Sequence, residues 1–239
     1  MTGRELHVWA VQLEASEARL SQCLAWLSED ERARAARFHF EQHRRNFVLG
    51  RAVLRALLAS ILGTPPAAIR FCYGPKGKPA LEDARTLLRF NVSNSVNLAA
   101  YAFTQGCDLG IDVEALRPVP EMERIAARFF APAEVSELMS LPQPDRPQAF
   151  FNCWTRKEAY IKAVGDGLSV PLDSFRVSLQ PGAPAELLCL GGNTEAARAW
   201  TLEDFVPAPG FVGALAYPDQ PRPVKFRPLV SAEELLGSL

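Results

Sequence analysis

Apolar residues along the chain follow two periods, and these predict its elements. In LHVWAVQL, Leu6, Val8 and Ala10 alternate with their neighbours at the two-residue repeat of a strand. From Glu17 to Leu27 the repeat lengthens to that of a helix. Ser28 followed by Glu31 then offers a capping box. A long helix is predicted from Arg44 to Leu62, apolar at Phe47, Leu54, Leu58 and Ile61 and stopped by GTPP. In IRFCYGPKGKPAL, the residues Gly74, Pro75, Gly77 and Pro79 mark a loop after a strand. RFNVSNSVNLAAYAF predicts two strands joined by a turn from Asn94 to Asn97, and LGIDVEAL predicts the next strand. EMERIAARFF and AEVSELMSL read as short helices. QPDRPQAFFNCWTRKEAYIKAVGDGL reads as a longer one, Pro-capped and ended by Gly165 and Gly167. FRVSL, WTLEDFVP and FVGALAYP return to the strand pattern.

Strand, helices and a strand cluster thus occur twice in the same order. This predicts an α+β fold of two pseudo-symmetric lobes, each a long helix on a small, mainly antiparallel sheet. The lobes are expected to span residues 1–106 and 107–239.

Composition narrows the function classes. The chain has 239 residues, enough for a substantial core. No apolar stretch approaches the roughly 18 residues of a membrane span. MTGRELHVWAVQLEAS lacks a basic segment followed by an apolar one, so a cytoplasmic protein is expected. The five cysteines are odd in number and never paired as CxxC, which fits reduced thiols and argues against structural zinc. All three histidines, His7, His39 and His43, fall early, so a Ser-His-Asp triad or a zinc helix is hard to build. Chemistry is left to carboxylates, lysines and arginines.

Net charge is −1, but its distribution is uneven. Arg32, Arg34, Arg37, Arg44, Arg45, Arg51 and Arg55 face only Glu31 and Glu41 across residues 31–55. This suits phosphates or an acidic protein partner, and equally a solvated helix face. The stretch lacks the regular alternation of aromatic and basic residues of a nucleic-acid surface, so no nucleic acid is expected.

Within LGIDVEAL, alternation sends Leu109, Ile111 and Val113 one way and Gly110, Asp112 and Glu114 the other. The two acids then share a face with Cα atoms roughly 6.5–7 Å apart. Such a pair is either a solvated edge or an oxygen-only site for Mg²⁺, with Gly110 leaving room for a ligand. In FFNCWTRKEAYIKAVGDGL, Trp154, Glu158, Ile161 and Lys162 lie on one helix side and Lys157 borders it. The Glu158–Lys162 spacing is also that of an ordinary surface pair.

Together, GIDVE and WTRKEAYIKAVGDGL resemble the signature of the 4′-phosphopantetheinyl transferases, in particular the monomeric surfactin-synthetase-activating (Sfp-type) class. The resemblance extends to GKPAL at 77–81, FNVSNS at 90–95, RFF at 128–130 and VPLDSF at 170–175. It implies a cytoplasmic, monomeric enzyme with its active site between the lobes. Such an enzyme moves the 4′-phosphopantetheine arm of coenzyme A to a serine of an apo acyl or peptidyl carrier protein, in fatty acid, polyketide or nonribosomal peptide synthesis. Adenosine 3′,5′-bisphosphate is released. By motif matching, Asp112, Glu114 and Glu158 are expected to hold Mg²⁺, with Mn²⁺ as an alternative. Glu158 would also be the base and Lys162 would steady the departing phosphate. Lys157 would touch phosphate, Lys78 and Pro79 would lie at the nucleotide, and Ser93 would contact the phosphates. Trp154 is read as core packing.

The chain departs from the family pattern twice. Asn94 stands where a histidine usually meets the 3′-phosphate, and Asn46 stands at the family's arginine position. Arg34, Arg44 or Arg45 is therefore expected to take over that contact, unless recognition of the 3′-phosphate is relaxed. These departures also leave a second reading, a carrier-protein-binding accessory protein of the same fold with weak or no transferase activity.

Overall fold

The chain's structure is a computed structural model, and it describes residues 5–74, 76–83, 85–165 and 170–239. Gly167 and Pro75, expected as helix stop and loop marker, lie outside these residues.

The chain opens with β1 (Leu6–Gln12), followed by α1 (Glu17–Trp26), α2 (Glu29–Ala35) and α3 (Glu41–Leu62). Polar side chains start the first two helices. Ser16 Oγ accepts from the Arg19 amide at 3.2 Å, and Glu31 reaches back to the Ser28 amide at 3.0 Å, satisfying amides that a helix start leaves open. Gly63, at φ +65°, ends α3. β2 (Phe71–Tyr73) and β3 (Pro79–Leu81) form a small hairpin, and β4 (Leu88–Ser95) and β5 (Leu98–Gln105) form a long one.

The second half runs β6 (Gly110–Ala115), α4 (Met122–Phe129), α5 (Pro132–Ser140) and α6 (Arg146–Val164). Then come β7 (Phe175–Val177), β8 (Leu187–Leu190), α7 (Thr194–Ala197), β9 (Trp200–Phe205) and β10 (Phe211–Pro218). β6, β10 and β9 form an antiparallel sheet in that order.

The tail departs from expectation. β11 (Val224–Phe226) and β12 (Val230–Ser231) both pair parallel to β1, and α8 (Ala232–Ser238) packs into the first core through Ala232, Leu235 and Leu236. The first sheet therefore has the order β11-β1-β5-β4, with β12 beside β1. The expected unit 107–239 thus loses its last strands and helix to the first sheet. β1 has an open hydrogen-bonding edge, and the tail fills it.

Three apolar clusters hold the molecule. One lies between α1, α3 and the first sheet, and another surrounds α6. The third joins the two sheets, with Leu6, Val8, Ala100 and Ala102 against Leu109, Ile111, Val113 and Leu215. The inward face predicted for residues 109–113 is the one that packs here. Among the described residues no helix is long and apolar enough to cross a membrane.

Candidate active site

β4 and β6 are neighbours in different sheets, joined by side chains where a backbone ladder would otherwise run. Asn91 Oδ1 accepts from the Ile111 amide at 2.9 Å. Ser93 Oγ donates to Asp112 Oδ1 at 2.7 Å. Ser95 Oγ donates to Glu114 Oε2 at 2.7 Å and accepts from the Ala115 amide at 3.2 Å. Alternation puts Asn91, Ser93 and Ser95 on one face of β4. The sequence reading singled out only Ser93. The signal for the other two was the N-x-S-x-S period.

α6 crosses the face of β6 that carries Gly110 and Asp112, and the crossing is close because residue 110 is glycine. A Cβ there would lie 2.0 Å from the Ala159 carbonyl oxygen and 2.4 Å from the Ala163 amide. The space expected for a ligand is filled by helix backbone. Gly110 serves the packing of α6, which in turn delivers Glu158 and Lys162 to the acids on β6.

Lys162 Nζ lies 2.7 Å from Asp112 Oδ1, 2.9 Å from Ser93 Oγ and 3.2 Å from the Ile111 carbonyl. Asp112 is 5% exposed, and its Oδ2 is buried without a partner. Burial pushes the Asp112 carboxyl up against the opposing pull of Lys162 and Ser93. The same cause raises Glu158, reinforced by the Asp112 carboxylate. Glu114 Oε2 also takes a bond from Arg117 at 3.0 Å.

No set of three acidic, histidine or cysteine side chains converges at metal-holding spacing among the described residues. Lys162 and Ser93 occupy the Asp112 oxygen that faces them, and Ser95 and Arg117 occupy Glu114. The donor chemistry nonetheless fits a hard cation. The groups are carboxylate oxygens, Asp112 and Glu114 both push the Glu158 carboxyl up, and Asp112 Oδ2 is an orphaned buried acceptor, costly to leave unsatisfied.

From Glu158 and Lys162 a cavity of about 240 Å³ runs past Gly77, Pro79 and Asn91. It shares Gly77, Pro79 and Val92 with a larger cleft of about 520 Å³, lined by Arg34, His43, Asn46, Arg51, Tyr73 and Asn94. No carboxylate lines this second cleft among the described residues. Arg34 stacks over Phe47 at 5.2 Å. Arg51 is anchored by Glu31 at 2.7 Å and by the Tyr73 hydroxyl.

Arg44 and Arg45 do not line the cleft. Arg44 pairs with Glu41 at 2.6 Å, and Arg45 pairs with Glu17 and the Ala15 carbonyl. Of the three expected arginines, the fold brings only Arg34 to the cleft. Asn46 lines it but is tied off, donating to the Val96 carbonyl at 2.6 Å. Val96 sits at φ +56°, a left-handed conformation that costs a β-branched residue energy.

Two lysines differ from expectation. Lys157 is fully buried, 2.8 Å from Glu134 Oε2 and bonded to the Leu172 and Phe175 carbonyls at 2.7 and 2.6 Å. It knits α5, α6 and β7 together and has no surface to offer a phosphate. Lys78 lines the smaller cavity, but its ammonium is bonded to backbone carbonyls at the end of α6. Trp154 packs against Phe129, Phe130 and Phe150, as core packing requires.

Residues 108–216 match a family profile described as the 4′-phosphopantetheinyl transferase superfamily, and residues 11–105 match one described as 4′-phosphopantetheinyl transferase, N-terminal. The 4′-phosphopantetheinyl transferase HetI of Nostoc sp. is 43% identical over 214 residues, covering 89% of this chain and 87% of that protein. The 4′-phosphopantetheinyl transferase Sfp of Bacillus subtilis is 29% identical over 223 residues, covering 92% and 95%. A crystal structure of Thermotoga maritima holo-[acyl-carrier-protein] synthase aligns with 48% of this chain and 64% of that one, at 21% identity and a TM-score of 0.35, too distant to add an argument. With 43% identity to one transferase over most of both lengths, and matching profiles across both halves, the chain belongs to the 4′-phosphopantetheinyl transferase family.

Proposed function

We propose that this enzyme transfers the 4′-phosphopantetheine arm of coenzyme A to a serine of an apo acyl or peptidyl carrier protein. The observation that carries the reading is a pair of cavities that share Gly77, Pro79 and Val92, one lined by Arg34 and Asn94 and the other by Glu158 and Lys162. The larger cavity, with Arg34 and no carboxylate among its described lining residues, suits the nucleotide phosphates, and Glu158 beside Lys162 in the smaller one suits proton transfer at the reacting phosphate. The smaller cavity draws its walls from residues 76–92 and 158–165, in keeping with a two-lobed enzyme, while the larger is lined by the first half alone.

In this reading the carrier serine loses its proton to the Glu158 carboxylate. Burial raises the Glu158 carboxyl above its ordinary value, with Asp112 adding to the effect. The serine oxygen bonds to the phosphorus nearer the pantetheine. The pyrophosphate P–O bond breaks, and adenosine 3′,5′-bisphosphate leaves with the electron pair. Lys162, already at the edge of the cavity, stabilises the charge that develops on the departing phosphate. Ser93 holds Lys162 and Asp112 in register. Asp112, Glu114 and Glu158 would hold Mg²⁺, which when bound supplies charge neutralisation at the pyrophosphate.

Incubation with coenzyme A, Mg²⁺ and an apo carrier protein tests this by carrier mass. The expected result is a gain of one phosphopantetheine. The tied-off Asn46 favours one alternative, a carrier-binding accessory protein that transfers poorly. Carrier binding with no change in mass would select that alternative and overturn the transferase reading.

A further inference from the structure

Lys78 stands in the loop between β2 and β3, and its ammonium donates to three backbone carbonyls. These are Lys162 O at 2.5 Å, Leu109 O at 3.2 Å and Ala163 O at 3.4 Å. An ammonium carries three protons, so its donors are all engaged. Two of the acceptors belong to the last turn of α6, where carbonyls lack intrahelical partners and the helix dipole favours a cation. Gly165, the residue that ends α6, donates to Ile161 O at 3.0 Å, and the next two carbonyls accept from Lys78. The third acceptor lies immediately before β6.

The loop itself is closed by short bonds. The Gly74 amide donates to Lys78 O at 2.9 Å and the Gly77 amide donates to Gly74 O at 2.8 Å. Gly77 takes φ +80°, which glycine adopts without strain. These bonds tie the described residues of the loop together, and the Lys78 side chain fastens them at the junction of α6 and β6. Its inner side, Gly77 and Pro79, is the wall shared by the two cavities. Glu158 and Lys162 lie within the last two turns of α6, and Asp112 lies three residues beyond Leu109. The Lys78 ammonium therefore sets the spacing between the cleft wall and both elements that bear the reacting groups. Burial lowers its pKa, as expected where the acceptors are neutral carbonyls.

We propose that Lys78 is a positioning residue that latches the 74–79 loop to α6 and β6 and makes no bond to the substrate. The geometry of the latch stands by itself, while its effect on turnover rests on the proposed function.

The test uses the full-length, ligand-free protein and its Lys78→Met and Lys78→Arg variants. Hydrogen exchange is followed at the Gly77 and Gly165 amides, with β5 amides as the reference for global folding. The expected result is exchange faster by on the order of tenfold at both glycines in Lys78→Met, with β5 unchanged. Lys78→Arg, which keeps N–H donors, should stay near wild type. Unchanged exchange at the glycines overturns the latch, as does equal acceleration at β5. If Lys78→Met fails to fold, Lys78→Gln gives the same comparison with one amide group retained. Transfer kinetics form a second arm. A latch lowers kcat/KM by one factor for coenzyme A and 3′-dephospho-coenzyme A alike, whereas a loss confined to coenzyme A overturns the proposal by revealing a 3′-phosphate contact. The exchange arm reads out even if the protein transfers nothing, so failure of the latch and failure of the transferase reading are separable.

Discussion

The Lys162 ammonium lies 2.7 Å from Asp112 Oδ1, and this pairing leaves Asp112 Oδ2 buried with no partner. One oxygen is neutralised while the other waits for a donor or a cation. Mg²⁺ is therefore expected to raise the Tm of the wild-type protein, with EDTA reversing the shift, because a ligand that binds only the folded state stabilises it. Asp112→Asn should flatten that response. Glu158→Gln should abolish transfer while leaving the far-UV spectrum and the EDTA-state Tm close to wild type. Unimpaired turnover in Glu158→Gln would remove it as the base.

Lys157 offers the opposite outcome. Glu134 also accepts from the Ala131 and Val177 amides, so it is held in place when Lys157 is truncated. Lys157→Met then strands a buried carboxylate, a loss of about 3–5 kcal/mol for a broken buried pair. Urea unfolding should report that loss, and the KM for coenzyme A of the protein that remains folded should be unchanged.

Gly110→Ala places a methyl group inside the α6 backbone. Helix and strand must part, which damages the core and carries Glu158 and Lys162 away from Asp112. A destabilisation of about 1–3 kcal/mol is expected from overpacking alone, with more if the backbone cannot shift. Transfer by the folded fraction should fall through kcat.

At the other end of the cleft, Asn94 is exposed beside Arg34 and Asn46. An imidazolium there would offer a charge-assisted bond, roughly twice as strong as a neutral one. Asn94→His should raise kcat/KM for coenzyme A near pH 6 and leave 3′-dephospho-coenzyme A unaffected. For the wild type, a preference for coenzyme A above about 100-fold over the dephospho form would rule out relaxed 3′-phosphate recognition.

His7 predicts a pH dependence of stability. It is buried in β1, and burial lowers its pKa below 6.5, aided by Arg227 and Lys225 and opposed by Glu5 at 3.4 Å. The unfolded chain takes up the proton first as pH falls below 6.5, so stability held above that value is lost as pH drops through the folded pKa. His7→Gln should narrow the difference in urea midpoint between pH 7.5 and 5.5.

Much of this was legible in sequence because period and capping are local. Alternation gave the correct faces of residues 109–114, and Ser28 with Glu31 marked the start of α2. The family resemblance put Asp112 and Lys162 in one site, but no pattern in the sequence foretold that the two would pair across fifty residues. Lys157 was misread because α6 is buried on several sides, and helix spacing alone does not say which neighbour a lysine meets. Its partner Glu134 comes from another helix. Gly110 was misread for a similar reason, since an absent side chain admits a helix as readily as a ligand. β11 and β12 had no local signal. They are three and two residues long, lie among Pro221, Pro223 and Pro228, and exist only through pairing with β1.

That pairing has a consequence for how the chain reaches its structure. Leu6 meets Val224 and Val11 meets Val230, so an early strand is completed by residues made only some 218 positions later. Until then one edge of β1 presents unsatisfied amides and carbonyls, the kind of surface that recruits foreign strands. Closing so long a loop is slow, and exposed edges in large folding intermediates promote aggregation. Truncation before residue 224 should therefore lower the yield of soluble protein, although the reacting groups lie elsewhere.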